Sequence, residues 1–557
     1  MIARADALAA FQGDRFDIVV VGGGITGAGV ALDAASRGYS VALVEREDFA
    51  SGTSSRSSKL VHGGLRYLQQ FDLGLVREAL LERAMLVNLA PHLVRPLPLV
   101  VASFDGRRPA YTMGAGLNLY DVMATERLRP VLRGRGSGVD EWSPDRHRMI
   151  GADEVADLMP ALASRHPTGG YLFYDCQTDD VRLVLTVLGE AERFGAVIAN
   201  RCEVVEILEP DDRAAGVVCE DGVDGGRFEI HADNVVNATG VWADRINPDE
   251  LYGEEELPTV RPSRGTHITI SADRLPIVSG AIVPAGEGRS IFALPWLGRT
   301  LIGTTDNDYD GPLEHIPPSR KDIAYLLEAC NAFFDESLTY ADITAAYAGA
   351  RPLISVGDSR KSVDISRKAE LYETSSGLVT ITGGKLTTFR RMAKMTVDRI
   401  VEREGRDAPC RTHEIPLGEP AEPDDLPQVD GVDDDSRRAL TDRYGHAATG
   451  VLALCEERPE LARRIVPGLP DLLAEAPFAV RNEQAAAIGD VLLRRTRLGL
   501  LDASTLAAPD SEPARAVGRA MAAELGWDDA LVERELDAWR QLAREEGLVA
   551  ADAATPA

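Results

Sequence analysis

Lysine and cysteine are both scarce in this sequence, and their scarcity excludes several kinds of site. Only six of the 60 basic residues are lysines, and the 557 residues include six cysteines. No two cysteines have the short spacing of a metal knuckle, so zinc fingers and iron–sulfur loops are not expected. We therefore predict no metal site, and we expect the cysteines to be free thiols in a reducing cytoplasm.

Basic residues are also outnumbered by acidic ones, 60 to 88, which gives the chain a formal charge of −28. Proteins that wrap nucleic acid neutralise its phosphates, so this balance excludes a nucleic-acid partner. It also disfavours general adhesion to anionic lipid, although a local basic patch remains compatible with such a surface. No uncharged apolar run reaches the roughly 18 residues of a membrane span, and residues 1–15 lack the apolar core of a secretory signal.

The remaining composition is that of a folded globular protein, with 45% hydrophobic and 27% charged residues. Strand-like and helix-like segments alternate in the first part of the chain, which predicts an α/β body over residues 1–405. Residues 406–435 are rich in proline, glycine and acids and predict an exposed linker. Helical patterns dominate from Ser436 onward, so we expect a helical domain over 436–548 and a disordered tail over 549–557.

The start of the chain predicts a dinucleotide-binding βαβ unit. Apolar runs at 16–21 and 41–44 predict buried strands, and the glycine-rich turn that begins at Gly22 opens the helix between them. In the pattern Gly-x-Gly-x-x-Gly, the glycines permit a tight turn, close approach of a pyrophosphate and close helix packing. Glu45, at the end of the second strand, can accept hydrogen bonds from a ribose. NAD and FAD both fit this arrangement.

Other glycine-rich segments favour FAD over NAD. Residues 53–68 are dense in hydroxyls and glycines, a glycine follows a strand within 237–242, and residues 382–388 open a helix that runs to about Glu402. A flavin is a long ligand that needs backbone contacts from distant parts of the chain. A helix N-terminus or a cation also stabilises the charge that a flavin gains on reduction. A simple nicotinamide dehydrogenase needs only one such helix end.

Together these segments resemble the FAD-dependent glycerol-3-phosphate dehydrogenases, within the wider group of D-amino-acid-oxidase-like flavoproteins. The resemblance extends from about residue 12 to about residue 545, and the segments HGGLRYL and GGKLTT are specific within the wider group. The matching segments are GGGITGAGVALDAASRG (22–38), SSRSSKLVHGGLRYL (54–68), YDCQTDDVRL (174–183), NATGVWAD (237–244), RGTHI (264–268), PWLGRTLIGTTD (295–306), GARPL (349–353), TGGKLTTFRRMA (382–393) and AAIGDVLLRRTRLGL (486–500).

The resemblance implies a Rossmann-like FAD-binding domain interleaved with a mixed-sheet substrate domain, followed by an all-α C-terminal domain. It also implies oxidation of sn-glycerol 3-phosphate to dihydroxyacetone phosphate, with electrons passed from FAD to a membrane quinone. Such a protein is expected in the cytoplasm, held peripherally at the inner face of the cell membrane, and the sequence leaves monomer and homodimer open. The residues expected to contact FAD are Gly22, Gly24, Ile25, Thr26, Gly27, Glu45, Arg46, Thr53, Ser54, Ser58, Lys59, Leu60, His62, Gly63, Gly64, Val204, Ala238, Thr239, Gly240, Gly384, Lys385, Leu386 and Thr387.

The substrate site is predicted from charge and acid–base chemistry. Guanidinium groups bind phosphate by paired hydrogen bonds and lysine adds a point charge. Oxidation of a secondary alcohol also needs a base for the hydroxyl proton, and His267 is the leading candidate, with Arg351 or Tyr67 orienting the hydroxyl. The alternative is that His267 only supports the flavin or the substrate. The four candidate phosphate ligands are Arg66, Arg351, Arg367 and Lys385.

Several alternatives stay open at this point. The same fold serves oxidases that pass electrons to oxygen, oxidoreductases of amino or hydroxy acids, and a flavin-binding regulator without activity. The stretch from Arg107 to Arg135 is basic and partly apolar, so it fits either a membrane surface or a solvated cover of the substrate domain. In the C-terminal domain, Arg494, Arg495 and Arg497 are expected to stack near the end of a helix, where the dipole favours cations.

Overall fold

The computed structural model describes residues 3–64, 72–104, 111–125, 146–246, 259–286, 289–355 and 369–550. It contains two sheets with helices on their faces and a helical C-terminal region, which confirms the predicted α/β class. The strands in these ranges are β1 (Arg15–Val21), β2 (Val41–Val44), β3 (Leu60–Val61), β4 (Arg95–Ser103), β5 (Arg148–Ile150), β6 (Gly169–Gln177), β7 (Val197–Ala199), β8 (Cys202–Ile207), β9 (Gly216–Asp221), β10 (Arg227–Asn237), β11 (Thr259–Ser271), β12 (Gly280–Pro284), β13 (Ser290–Trp296), β14 (Arg299–Gly303), β15 (Asn307–Asp308), β16 (Ile343–Ser355), β17 (Ala369–Glu373) and β18 (Val379–Gly383).

The helices divide between the body and the C-terminal domain. Those of the body are α1 (Arg4–Gly13), α2 (Ile25–Ser36), α3 (Leu73–Leu89), α4 (Tyr111–Thr125), α5 (Ala152–Leu158), α6 (Asp180–Arg193), α7 (Arg320–Phe334) and α8 (Phe389–Glu404). Those of the C-terminal domain are α9 (Asp434–Tyr444), α10 (Ala448–Glu457), α11 (Glu475–Glu483), a π-helix (Asp490–Arg495), α12 (Ala503–Leu506), α13 (Glu512–Leu525) and α14 (Asp529–Glu545).

The first sheet has a parallel core built around the amino-terminal βαβ unit. Its order is β17-β18-β10-β1-β2-β7, and β8 and β9 extend it beside β10. β1 pairs in parallel with both β2 and β10, and its residues Ile18, Val19 and Val20 are completely buried, as expected for a strand covered on both faces. Because β1, β2, β10 and β18 are parallel, their carboxyl ends meet at one edge, where open α/β sheets bind their ligands.

The second sheet is mixed and interleaves with the first along the chain. Its order is β15-β11-β14-β13-β12-β4-β6-β3, with β16 paired to β11 and β5 to β6. Strands β3 to β6 fall between β2 and β7 in sequence, and β11 to β16 fall between β10 and β17. The predicted interleaving is therefore confirmed. β11 and β16 form a long antiparallel pair in which His267 lies opposite Tyr347.

The segment 406–435 is not exposed throughout, which corrects the linker prediction. Ile415, Leu417 and Leu426 are buried. The amide of Leu417 donates to the carbonyl of Leu89 at 2.8 Å, so the chain runs along the body before it enters the C-terminal domain. The acids between these positions stay solvated while the isolated apolar side chains reach a core, and a net-charge pattern does not reveal this division.

The three arginines near residue 495 lie at the end of the π-helix, as the sequence suggested, and they also join the two domains. Arg494, Arg495 and Arg497 are all buried. Arg495 donates to the two carboxylate oxygens of Asp48 at 2.7 and 2.9 Å, and Arg497 donates to Asp180 at 3.1 Å. These arginines therefore form ion pairs between the C-terminal domain and the α/β body.

Two surface expectations fall largely outside the described residues. The six arginines between 107 and 135 lie there, as does 551–557 of the predicted tail, whereas Ala550 is described and buried. Between those arginines, α4 exposes Leu119 and Val122, by 41% and 48%. Across the part of the chain that the structure covers, no helix combines the length and apolarity required to span a membrane.

Candidate active site

A cavity of about 450 Å³ lies between the carboxyl edge of the first sheet and the face of the second. This volume is in the usual range for cofactor and ligand sites. The cavity brings together the four glycine-rich segments that are far apart in sequence. The predicted residues that line it are Gly22, Gly24, Ile25, Thr26, Glu45, Arg46, Thr53, Ser54, Ser58, Leu60, His62, Val204, Ala238, Thr239, Gly240, His267, Arg351, Gly384, Lys385, Leu386 and Thr387.

The glycine turn after β1 has no room for side chains, which fits a cradle for a pyrophosphate. Gly22 has φ +112°, and a Cβ there would lie 2.7 Å from the carbonyl oxygen of Ala238. A Cβ on Gly27 would overlap the carbonyl of Gly22, so this glycine permits close packing rather than ligand contact. The amino end of α2 opens into the cavity, where its dipole favours an anion, and the amide of Ile25 donates to the hydroxyl of Ser54 at 2.9 Å.

Glu45 closes β2 and turns its carboxylate to the same turn. Its two oxygens accept hydrogen bonds from the amides of Gly23 at 2.7 Å and Glu47 at 2.9 Å. Burial raises the pKa of Glu45, and these two amides oppose the rise. Beside it, the guanidinium of Arg46 lies 5.1 Å from the ring centre of Trp242. The indole Nε1 of Trp242 is buried with no hydrogen-bond partner among the described residues, so this wall has an unused donor.

Four of the predicted cofactor residues do not line the cavity: Gly27, Lys59, Gly63 and Gly64. Lys59 is completely buried, and its ammonium pairs with Asp180 at 2.7 Å. This ion pair holds the amine beneath the loop, away from the cavity. The predicted substrate residues Arg66, Tyr67 and Arg367 lie outside the described residues.

Trp242 and Arg56 are among the further residues that line the cavity and were missed. Both belong to segments that carried the resemblance, so the sequence brought them near the site. The sequence contains no signal that shows which side chains of NATGVWAD or SSRSSK line the cavity. That choice depends on the short helices Thr53–Ser55 and Gly240–Arg245, whose turns the polar sequence does not specify.

His267 lies in the middle of β11, 2% exposed, at the edge of the cavity. Its Nε2 lies 2.8 Å from the hydroxyl of Ser58, and its ring stacks on Tyr347 with centroids 4.8 Å apart. Its Nδ1 is buried and has no hydrogen-bond partner in the described ranges. Burial, together with the charges of Lys59 and Arg351, lowers the pKa of His267 well below its usual value, so the imidazole is neutral at neutral pH.

The low pKa of His267 predicts a loss of stability in mild acid. Above about pH 6.5 the residue is neutral in both states, but below it the unfolded chain binds a proton that the folded chain does not. Between about pH 7.5 and about pH 5.5, we expect the free energy of unfolding of the wild type to fall by about 1.4 kcal/mol more than that of His267→Gln. Urea denaturation at both pH values measures this. Equal pH dependence in the two proteins would contradict the buried neutral histidine.

Two of the basic side chains that line the cavity with His267, Arg351 and Lys385, are predicted phosphate ligands, and Arg46, Arg56 and Arg245 line it as well. Arg351, on β16, donates to Thr304 Oγ1 at 3.0 Å and to the carbonyl of Thr305 at 3.1 Å, which fixes its guanidinium at the cavity wall. Lys385 stands at the start of the short helix Leu386–Thr388 that leads into α8. The N-terminus of this helix, the lysine beside it and the arginine on the cavity wall together create a positive potential that favours an anionic ligand.

Within the described ranges, the site contains no cluster of three or more side chains that could hold a metal ion. What it offers instead is a glycine cradle with a helix entrance, an acid for a ribose, a neutral histidine and several cations. The fold and this cavity together define a dinucleotide-binding oxidoreductase.

Comparison with known families agrees with that class. The family model described as FAD dependent oxidoreductase matches residues 17–399. A second model, described as the C-terminal domain of alpha-glycerophosphate oxidase, matches residues 410–532. Its match begins inside the segment that the sequence suggested as a linker, consistent with the buried apolar residues there.

Relatives with the same two-part chain are similar over nearly their full length. Glycerol-3-phosphate dehydrogenase 2 of Mycobacterium tuberculosis is 38% identical over 542 residues, covering 96% of this chain and 89% of the relative. Aerobic glycerol-3-phosphate dehydrogenase of Bacillus subtilis is 35% identical over 501 residues, covering 86% and 87%. The X-ray structure of the FAD-complexed glycerol-3-phosphate dehydrogenase of Bacillus halodurans superposes with a TM-score of 0.75, at 29% identity, covering 98% and 97%. The chain therefore belongs to the FAD-dependent glycerol-3-phosphate dehydrogenase family, and its cofactor is FAD.

Proposed function

We propose that this protein oxidises sn-glycerol 3-phosphate to dihydroxyacetone phosphate. The observation that carries the proposal is that His267, Arg351 and Lys385 line the same cavity as the dinucleotide cradle. A base and two cations thus stand beside the cofactor site. The reaction removes a hydride from C2 and a proton from its hydroxyl, so the substrate loses two electrons as the ketone forms.

Bound FAD supplies the two-electron acceptor of this reaction. The protein's part is to hold the substrate and to take the proton. His267 is neutral and can accept it at Nε2, directly or through the hydroxyl of Ser58, which also lines the cavity. A doubly charged substrate beside the ring favours the protonated form and strengthens the base when the substrate binds.

Arg351 and Lys385 are proposed to bind the phosphate. A carboxylate substrate, as in the amino-acid oxidoreductases, carries a single charge, whereas two cations match a phosphate monoester that carries almost two. The names of the relatives from Mycobacterium tuberculosis and Bacillus subtilis support the same substrate.

A substrate panel tests this function. With an artificial acceptor, we expect kcat/KM for glycerol 3-phosphate to exceed that for glycerol, lactate or an amino acid by about 10³-fold or more, since loss of two charge-assisted contacts removes several kcal/mol. The product is identified with a reductase specific for dihydroxyacetone phosphate. Comparable kcat/KM values for glycerol and glycerol 3-phosphate would show that the cavity does not bind the phosphate group.

For the electron acceptor we propose a membrane quinone, with the protein bound peripherally at the cytoplasmic surface. The dehydrogenase names of the relatives support this, as do Leu119 and Val122 exposed on α4. Under air, we expect peroxide to account for a minor share of turnover, and quinone in anionic vesicles to support a faster rate than soluble quinone at the same concentration. Stoichiometric peroxide with no gain from vesicles would instead show an oxidase.

A further inference from the structure

The C-terminal domain contacts a loop that lines the cavity, residues 53–59, which we name the 53–59 loop. Most of its residues line the cavity on one side. On the other side, Arg497 of the C-terminal domain donates to the carbonyl of Ser55 at 2.9 Å and to Asp180 at 3.1 Å. The C-terminal domain therefore contacts the backbone of a site segment directly.

A buried network of charges lies beneath this loop. The ammonium of Lys59 donates to Asp180 at 2.7 and 2.9 Å and to the carbonyl of Ser55 at 2.7 Å. Asp180 also accepts from the amide of Ser57 at 3.1 Å and from its hydroxyl at 2.7 Å. The side chains of Lys59, Asp180 and Arg497 are at most 1% exposed. Buried charges are stable only when paired, so removal of one member disturbs the others.

The backbone is constrained at two members of this network, one in the loop and one in the C-terminal domain. Lys59 has φ +59° and Arg497 has φ +66°, both in the left-handed region that residues with a Cβ seldom adopt. Such a conformation is unfavourable unless its surroundings compensate. Here the compensation comes from the buried hydrogen bonds of the same two side chains.

The loop is joined to the proposed base at two points. The Ser58 hydroxyl lies 2.8 Å from Nε2 of His267. The hydroxyl of Tyr347 donates to the carbonyl of Ser57 at 2.9 Å, and its ring stacks on the imidazole at an interplanar angle of 10°. A shift of the loop therefore displaces both the hydrogen-bond partner of His267 and the ring that it packs against.

We propose that Arg497 is a positioning residue, through which the C-terminal domain fixes Ser58 and His267 in the reactive arrangement. Arg497 does not line the cavity, and its contact with the residues that do is the hydrogen bond to the 53–59 loop. Attachment of the domain alone does not require it, because Arg182 of the body forms a separate buried ion pair with Glu483. The expected effect on the reaction rate rests on the proposed function. The expected effect on the structure of the 53–59 loop does not depend on the substrate.

The test compares Arg497→Met with Arg182→Met in the full-length FAD-bound protein. Each change removes one buried guanidinium that pairs across the domains, but only Arg497 contacts the loop. Arg497→Lys keeps the buried charge, and it is compared with Arg182→Met if Arg497→Met does not fold. The measurements are the limiting rate of flavin reduction by glycerol 3-phosphate, its half-saturating concentration, the melting temperature, and amide hydrogen exchange across residues 53–60.

We expect Arg497→Met to slow the limiting rate by about tenfold, since small misplacement of a reacting group has effects of this size or larger. Exchange across 53–60 should accelerate, the half-saturating concentration should stay within about twofold, and Arg497→Lys should fall between. Arg182→Met should keep the wild-type rate and exchange, even at an equal loss of melting temperature. Equal slowing in both methionine variants, or unaltered rate and exchange in the Arg497 variants, would overturn the proposal.

The two proposals fail in different ways. If glycerol 3-phosphate does not reduce the wild-type flavin, the proposed function is wrong. The exchange measurement then still decides the positioning role, because unchanged exchange across 53–60 in the Arg497 variants would overturn it without any substrate.

Discussion

His267→Ala is expected to slow reduction of the flavin by glycerol 3-phosphate by about 10²- to 10⁴-fold, the usual contribution of a general base. FAD should remain bound, because the glycine cradle and Glu45 lie on the other sheet. The half-saturating concentration should change little, since the phosphate contacts are untouched. Anaerobic stopped-flow measurement of the flavin absorbance gives both quantities.

Ser58→Ala is the matched control for this prediction. It removes the hydroxyl that lies 2.8 Å from Nε2 but leaves the imidazole in place. If the histidine accepts the proton directly, the control slows reduction by no more than about tenfold, the value of one neutral hydrogen bond. Flavin reduction at the wild-type rate in His267→Ala would show that this residue only supports the site.

Arg351→Ala and Lys385→Ala are each expected to raise the KM for glycerol 3-phosphate by about 10- to 150-fold. A hydrogen bond to a charged group contributes roughly 1.5 to 3 kcal/mol, which corresponds to that range. Arg351→Ala should also lower kcat somewhat if the guanidinium orients the hydroxyl. Steady-state kinetics with an artificial acceptor separates the two effects.

Arg261→Ala is the control for the cation variants. Arg261 lies on β11 as His267 does, but it pairs with Asp308 at 2.8 Å near the surface and does not line the cavity. Its removal should leave KM within about twofold of the wild type. An unaltered KM in both Arg351→Ala and Lys385→Ala would exclude them from the phosphate site.

The sequence was sufficient to predict the parts of the fold that follow from local pattern. The strand at 16–21, the glycine turn and Glu45 recur in the structure as β1, the turn into α2 and the end of β2. Their spacing follows from one strand, one helix and one strand, so it depends on few distant contacts. The interleaving of the two sheets came from the resemblance, because no local pattern states which strands pair.

The parts that could not be predicted depend on partners far away in the chain. Lys59 stands in a segment that lines the cavity, yet its amine turns away to Asp180. Arg495 lies at a helix end but also pairs with Asp48, which lies more than 400 residues earlier in the chain. In both cases one sequence pattern fits a solvated or ligand-bound charge and a buried ion pair equally well, and only tertiary packing decides between them.

The sequence predicted which residues belong to the candidate site better than it predicted how those residues contact one another. His267, Arg351 and Lys385 do share one cavity, which the sequence could only suggest from motifs. The hydrogen bond from Ser58 and the stacking on Tyr347 were not predicted, since they require β11, β16 and the 53–59 loop to meet. These contacts are what distinguishes a neutral, oriented imidazole from a histidine that merely lies near a flavin.

Anaerobic addition of glycerol 3-phosphate to the purified yellow protein tests the central claim most directly. The account predicts loss of the oxidised flavin absorbance within the mixing time or soon after, with one equivalent of dihydroxyacetone phosphate formed per flavin. Glycerol at the same concentration should leave the spectrum unchanged. An oxidised spectrum that persists with glycerol 3-phosphate, in protein that dithionite bleaches normally, would contradict the account.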